Sequence, residues 1–368
     1  MSEIFLDAPN LGDLEKRYLC EAIDSGYVST VGPFIPQFEQ RFAEWMGSPW
    51  AVATQSGTAS LHMALYQLGI GPGDEVIVPA LTFVASINPI LYVGATPVLA
   101  DIDLMTWNID PKKMEQVITP KTKAVIPVHL FGNPCAMKEI LEIAQRHKLF
   151  VIEDATESLG ASFDGRMTGT LGDLGCFSFN GNKIMTTGGG GMILGKDKDS
   201  ISHIRFLVNQ GRDESRGYFH PEMGFNYRMT NLEAALGLAQ MDRLKEFLQK
   251  KKRYHEIYQD ELSGFKNIIF QREVPKAQST WWLNSVLIPD HKDLASVQNQ
   301  LKEQGIPTRR FFMPVTEFPM FSENGRSGFP NTYQVFEKGL CLPSSTLNQE
   351  EDVVNIARQL IKILDRRN

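Results

Sequence analysis

The sequence predicts an α/β chain in which a large, mostly parallel sheet is covered by helices and a smaller α+β unit follows. Three observations carry this expectation. Short apolar runs alternate with amphipathic stretches of helical spacing through the first two-thirds of the chain. After Asn231 the pattern changes to one long helical segment. The chain also has 368 residues, too many for one small core.

Taken in order, residues 75–78, 97–100, 124–128, 150–152 and 176–179 are short apolar runs that read as buried strands. Residues 59–68, 86–92 and 137–147 between them repeat apolar positions as a helix does. Asp101 and Asp154 close two of the strands, and ligands of open α/β sheets gather at such carboxyl ends. A helix from Leu232 to about Leu262 then links the large unit to a small one. The small unit takes a strand over 281–288, a helix over 294–304 and a terminal helix over 352–364. The expected division is 1–245 and 246–368.

Composition excludes several function classes. With 42% hydrophobic, 10% aromatic and 22% charged residues the chain is an ordinary globular one. A net charge of −6 leaves no electrostatic footprint for nucleic acid or anionic membrane. The run Lys250-Lys251-Lys252-Arg253 reads as a solvated face of the long helix. Four scattered cysteines form no CxxC pair and no metal-ligand spacing, so they are expected to be reduced thiols, with no metal. The first seven residues lack a basic stretch, and no run approaches roughly 18 apolar residues. A soluble, cytoplasmic protein is the expectation.

The stretch from Gly175 to Gly191 places Lys183 between small polar residues and the glycines Gly188 to Gly191. Such a lysine can approach a flat carbonyl cofactor, and an amine deprotonated by its surroundings forms a Schiff base. Upstream, an apolar run ends in Glu153-Asp154. A carboxylate such as Asp154 beside a pyridine nitrogen keeps that nitrogen protonated and makes the ring an electron sink, although it could also cap a following helix. Ser56-Gly57-Thr58 precedes a helix, where it serves either as a plain N-cap or as a phosphate cradle of N–H groups and hydroxyls. Phe83 leaves a strand where it could stack on a planar ring or join the core. Residues 190–196 satisfy GxxxxGK, but Asp197 stands where a nucleotide-binding loop needs Ser or Thr, and a strand rather than a helix follows the glycines.

With these stand further motifs: residues 26–33, Thr82-Phe83, residues 128–133, Phe177-Ser178-Phe179 and residues 226–231. In these the chain resembles the DegT/DnrJ/EryC1/StrS family of pyridoxal-phosphate-dependent sugar aminotransferases, of fold type I like aspartate aminotransferase. The resemblance runs through nearly the whole length. It implies that Lys183 bonds the cofactor, Asp154 pairs with its ring nitrogen and Phe83 stacks on it. Gly57, Thr58 and Ser178 would hold the phosphate, with Asn226 reaching it from the neighbouring subunit of a homodimer. Ser29, Thr30 and Arg228 are candidate sugar or diphosphate contacts, with further contacts from residues 308–314. Glutamate would be the amino donor and the pyridoxamine form of the cofactor the intermediate.

Two departures concern the substrate. Gly189 replaces the family's usual glutamate, and Glu157 its usual glutamine, near where the cofactor's phenolic oxygen should sit. With Asn180-Gly181-Asn182 before the lysine, these resemble the branch that aminates UDP-linked 4-keto-6-deoxy-N-acetylhexosamines, which feeds bacillosamine and legionaminic acid synthesis. A dTDP- or GDP-linked keto sugar is the alternative substrate. A non-catalytic regulatory protein that binds the cofactor is the alternative function, against which intact Lys183, Asp154 and Ser178 stand.

Overall fold

The computed structural model describes residues 3–265, 267–290 and 293–365. Its main sheet is built from β1 (Trp50–Thr54), β2 (Glu75–Pro79), β3 (Thr96–Ala100), β4 (Thr122–Val125) and β5 (Phe150–Asp154). A short hairpin, β6 (Ser162–Phe163) and β7 (Arg166–Met167), precedes its last members, β8 (Leu174–Ser178) and β9 (Gly191–Gly195). The seven strands lie in the order β1-β9-β8-β5-β4-β2-β3. The pairs from β3 through to β8 are parallel, and only β9 runs against its two neighbours.

Alternation along each strand explains why both faces are covered. Val52, Val76, Val78, Ile152, Cys176 and Ile193 point into one core with Leu61 and Leu65 of the helix Gly57–Gln67. Their neighbours Ala51, Ala53, Phe177, Met192 and Leu194 enter a second core on the other face with Phe38 and Phe42. Strands buried on both faces need helices on both sides, and this is the arrangement observed.

The long helix Asn231–Leu262 opens with a capping box: Thr230 Oγ1 accepts from Glu233 N at 3.2 Å, and Thr230 N donates to Glu233 Oε2 at 2.7 Å. It runs without a break through 245 and 246. Its last turns pack Tyr254, Tyr258 and Leu262 into a third core with the helices Leu294–Glu303 and Glu350–Asp365, and Ile4 from the start of the chain joins them. Over this core lies a small antiparallel sheet of Ile269–Phe270, Ser285–Leu287, Gly339–Cys341 and Arg309–Arg310. No helix among the described residues is long and apolar enough to cross a membrane.

Three expectations change. The strand expected over 281–288 is confined to Ser285–Leu287, and Trp281 itself takes a left-handed φ of 50°, outside the extended region. The helix expected over 86–92 splits into a 3₁₀ turn, Val84–Ser86, and the helix Asn88–Tyr92. The basic run of the long helix is not a uniformly solvated face: Lys251 is 3% exposed, and its Nζ donates to the carbonyls of Trp282 at 2.8 Å and Ser344 at 2.7 Å.

The turn at Trp281 is held by His255, whose ring stacks on the indole with centroids 3.6 Å apart and planes 6° from parallel. His255 also pairs through Nδ1 with Asn284 Oδ1 at 2.9 Å. Burial pushes its imidazolium down to about 4 from the ordinary 6.5. The folded pKa lies below the unfolded one, so the unfolded chain binds the proton first as pH falls. This contribution to stability is complete above pH 6.5 and is lost on the way down to pH 4. Replacing His255 by Phe, which keeps a flat ring, is expected to remove about 3 kcal/mol of the acid-side loss, measured by urea unfolding at pH 6.5 and pH 4.

Candidate active site

The carboxyl ends of β5 and β8 bring the predicted chemistry together. Asp154 ends β5 and is 2% exposed. No helix follows for it to cap. Instead its Oδ1 accepts from Thr156 N at 3.1 Å and its Oδ2 from Ser86 Oγ at 2.6 Å, with Ser86 paired to Thr82 Oγ1 at 2.9 Å. These bonds fix the carboxylate on the floor of a cavity of about 340 Å³.

Lys183 lies in the connection from β8 to β9, where its N–H closes a turn on Asn180 O at 2.9 Å. Its Nζ stands 3.7 Å from Glu157 Oε1 and 4.1 Å from the centre of the Trp282 ring. Burial lowers the pKa of the amine, opposed by the negative charges of Glu157 and Asp154. Burial in turn raises that of Glu157, opposed by Lys183 and by the Phe131 N–H, which donates to Glu157 Oε2 at 2.8 Å. Both shifts favour the neutral forms of the pair.

A helix start lines another side of the cavity. Ser56 is the N-cap of Gly57–Gln67, its Oγ accepting from Ala59 N at 3.1 Å, so the first-turn N–H groups of Gly57 and Thr58 open toward the cavity they line. A Cβ at Gly57 would stand 2.8 Å from that of Ser178, and one at Gly191 would stand 2.5 Å from the Ser56 carbonyl carbon. Glycine at these two positions allows β8, β9 and the helix start to converge.

Gly57, Thr58, Phe83, Asp154, Glu157, Ser178 and Lys183 thus line one cavity. Ser29, Thr30, Asn226 and Arg228 do not join them within the chain. Thr30 and Arg228 line a separate recess of about 250 Å³ with Glu39 and Arg205. The Arg228 Nε is buried there without a partner among the described residues. Ser29 and Asn226 are exposed. His129 is turned away: Nδ1 accepts from Cys135 N at 3.0 Å, which fixes the tautomer, and Nε2 donates to Glu153 at 3.1 Å. Glu153 also accepts three backbone N–H groups, from Gly169, Leu171 and Gly172, so this pair is structural.

Sequence reasoning missed the contributions of Ser86 and Trp282. Trp282 arrives from the small unit, is 1% exposed, and donates its indole N–H to Asn182 O at 2.7 Å. Arg309, within the segment singled out for sugar contacts, also lines the cavity. Its Nη1 donates to Asp7 Oδ2 at 3.1 Å, while Nη2 is buried without a partner among the described residues. A larger, more open recess of about 1170 Å³ lies between the long helix and residues 268–281. None of the predicted site residues reaches it; seven of them gather in the smaller cavity.

An amine, a fixed carboxylate and an anion cradle converging in one cavity define a site for covalent cofactor chemistry on an α/β scaffold. The sequence profile of the DegT/DnrJ/EryC1/StrS aminotransferase family matches residues 9–361, and the chain belongs to that family. The chain is 42% identical to the GDP-perosamine synthase of Caulobacter vibrioides over 99% of both chains. It is 40% identical to the GDP-perosamine synthase of Escherichia coli O157:H7 over 96% of both. Among solved structures it is similar to the PLP form of Spr1654, a proposed sugar aminotransferase of Streptococcus pneumoniae, with a TM-score of 0.95 and 27% identity over 99% of both chains.

The Glu157 carboxylate raises the pKa of Lys183, so Glu157→Gln should lower it. In cofactor-free protein at pH 8, acylation of Lys183 by an amine-selective ester, read by peptide mass spectrometry, is expected to speed up several-fold.

Proposed function

We propose that the protein is a pyridoxal-phosphate-dependent aminotransferase that moves an amino group from glutamate to the keto carbon of a nucleotide-linked sugar. The observation that carries this reading is the convergence of Lys183, Asp154 and the Ser56-Gly57-Thr58 helix start in one cavity. The residues fit the cofactor's three demands. Lys183 supplies the amine for covalent attachment, Asp154 a carboxylate for the ring nitrogen, and Gly57, Thr58 and Ser178 donors for the phosphate. Phe83, 53% exposed and 5.4 Å from the Phe312 ring, offers a face for the pyridine.

When bound, pyridoxal phosphate supplies the electron sink for the bond broken at the donor's α-carbon. Lys183 Nζ takes the α-proton and, in the second half of the cycle, delivers a proton to the sugar carbon that receives nitrogen. Desolvation makes the free amine available for this. Ser86 and Thr156 keep the Asp154 carboxylate oriented, and Arg309 offers Nη2 to an anionic oxygen of a substrate.

The active unit is proposed to be a homodimer with shared sites. Asn226, Ser29, Thr30 and Arg228 stand apart from their own chain's cavity, next to exposed apolar side chains: Tyr27 at 49%, Val31 at 62% and Met223 at 66%. A second copy covering these would place Asn226 at the partner's phosphate. Mixing Lys183→Ala with Asn226→Asp protein is expected to restore one intact site per hybrid dimer, about a quarter of all sites. No recovery after subunit exchange, measured by turnover, would sink the shared-site arrangement.

For the sugar, a GDP-linked keto substrate is favoured by the names of the relatives reported above. A UDP-linked 2-acetamido-2,6-dideoxy-4-hexulose is the second reading, supported by Gly189 and Asn180-Gly181-Asn182. Glutamate offered with GDP-, UDP- and dTDP-linked 4-keto sugars, with products identified by NMR, separates them. Amination at C4 of the GDP sugar is expected, and Lys183→Ala should lose it entirely. Wild-type protein whose cofactor absorbance survives borohydride, with no label at Lys183, would overturn the assignment.

A further inference from the structure

Lys251 belongs to none of the functions assigned so far, yet it is a lysine deep in the interior. Its Nζ reaches from the middle of the long helix to two carbonyls of the small unit, Trp282 at 2.8 Å and Ser344 at 2.7 Å. Burial pushes its pKa down to about 7, with the nearby charge of Asp7 opposing the shift. A neutral amine retains two N–H groups, enough for the two carbonyls, so the grip survives loss of the proton.

What Lys251 grips matters because of where the next side chain points. The left-handed turn at Trp281 sends Trp282 inward, its indole N–H onto Asn182 O at 2.7 Å and its ring face 4.1 Å from Lys183 Nζ. Asn182 immediately precedes Lys183 in the chain and is held from a second side by Asp7, its Nδ2 donating to Oδ2 at 3.3 Å. The indole therefore contacts both the turn that presents the lysine and the amine itself.

We propose that Lys251 is a positioning residue for Lys183, fixing the Trp282 backbone so that the indole face holds the amine and the indole N–H holds its turn. The proposal rests on the reading of Lys183 as the cofactor-bonding lysine. Its test does not use the cofactor, so the two can fail separately.

Full-length, cofactor-free protein is treated with an amine-selective acylating ester across pH 6 to 10, and the midpoint for Lys183 is read by peptide mass spectrometry. Trp282→Leu is expected to shift that midpoint by about one pH unit, the scale of a desolvated cation–π contact. Lys251→Met is expected to shift it in the same direction, and the double variant no further than Trp282→Leu alone. A Lys183 midpoint unmoved in Lys251→Met, whatever happens to its Tm, overturns the proposal. So does an unmoved midpoint in Trp282→Leu, or two shifts that add. If Lys251→Met does not fold, Lys251→Gln keeps amide donors at shorter reach and should give a smaller shift of the same sign; an unmoved midpoint there overturns the proposal equally.

Discussion

The site depends on holding one lysine amine out of water without leaving it an isolated charge. A buried ammonium with no partner costs several kcal/mol, and its usual escape is to give up the proton. Around Lys183 the opposing influences are spatially distinct. Glu157, Asp154 and the Trp282 ring face favour the cation, and exclusion of water favours the free amine. Glu157 faces the same conflict in reverse and is held by the Phe131 N–H. The pair leaves an amine whose hold on its proton is weakened by burial and whose position is set.

That balance is possible because of one reversed strand. β9 inserts antiparallel between β1 and β8, so the connection carrying Lys183 folds back over the helix start at Ser56. An isolated bridge pairs Ser56 with Gly190, and Gly190 N donates to Gln55 O at 2.9 Å. Side chains at Gly57 or Gly191 would push these layers apart and separate the amine from the anion cradle. Sheet topology, glycine placement and site chemistry are one constraint expressed at three levels.

Much of this was legible in the sequence, for a physical reason. Strands buried on both faces show as short apolar runs, helices as 3.6-residue periodicity, and residues at strand ends fall at the ligand face. Asp154 is legible in that way, Lys183 by its glycine-bordered setting, Gly57 by its place before a helix and Ser178 through the family resemblance, and Met137–His147 was read to the residue. The remainder depended on pairings hundreds of positions apart or on single dihedral angles. Nothing near Ser86 announces that it will bind Asp154, 68 residues on. A positive φ at Trp281 turned an apparent strand into an inward-facing indole, because aromatic runs look alike whether extended or bent. Lys251 sits in a run of charges that periodicity assigns to solvent, and only its tertiary partners show otherwise.

Trp282, which sequence reasoning missed, and Arg309 both enter the cavity from the small unit, and the same short N-terminal segment ties them in. Asp7 holds Arg309 Nη1 and Asn182 Nδ2 at once, while Leu6 O accepts from Ser344 N at 2.7 Å beside the Lys251 contact. The lysine turn, the indole, the guanidinium and the long helix are thus joined through residues 6 and 7 and Lys251. A displacement of the small unit would carry the indole off Lys183 and the guanidinium out of the cavity together. Asp154, Ser86 and the helix start, held within the large sheet, would stay behind. The Asp154 half of the cavity is therefore held within one sheet, and the half that sets an indole against Lys183 and brings the Arg309 guanidinium depends on how the two units are packed.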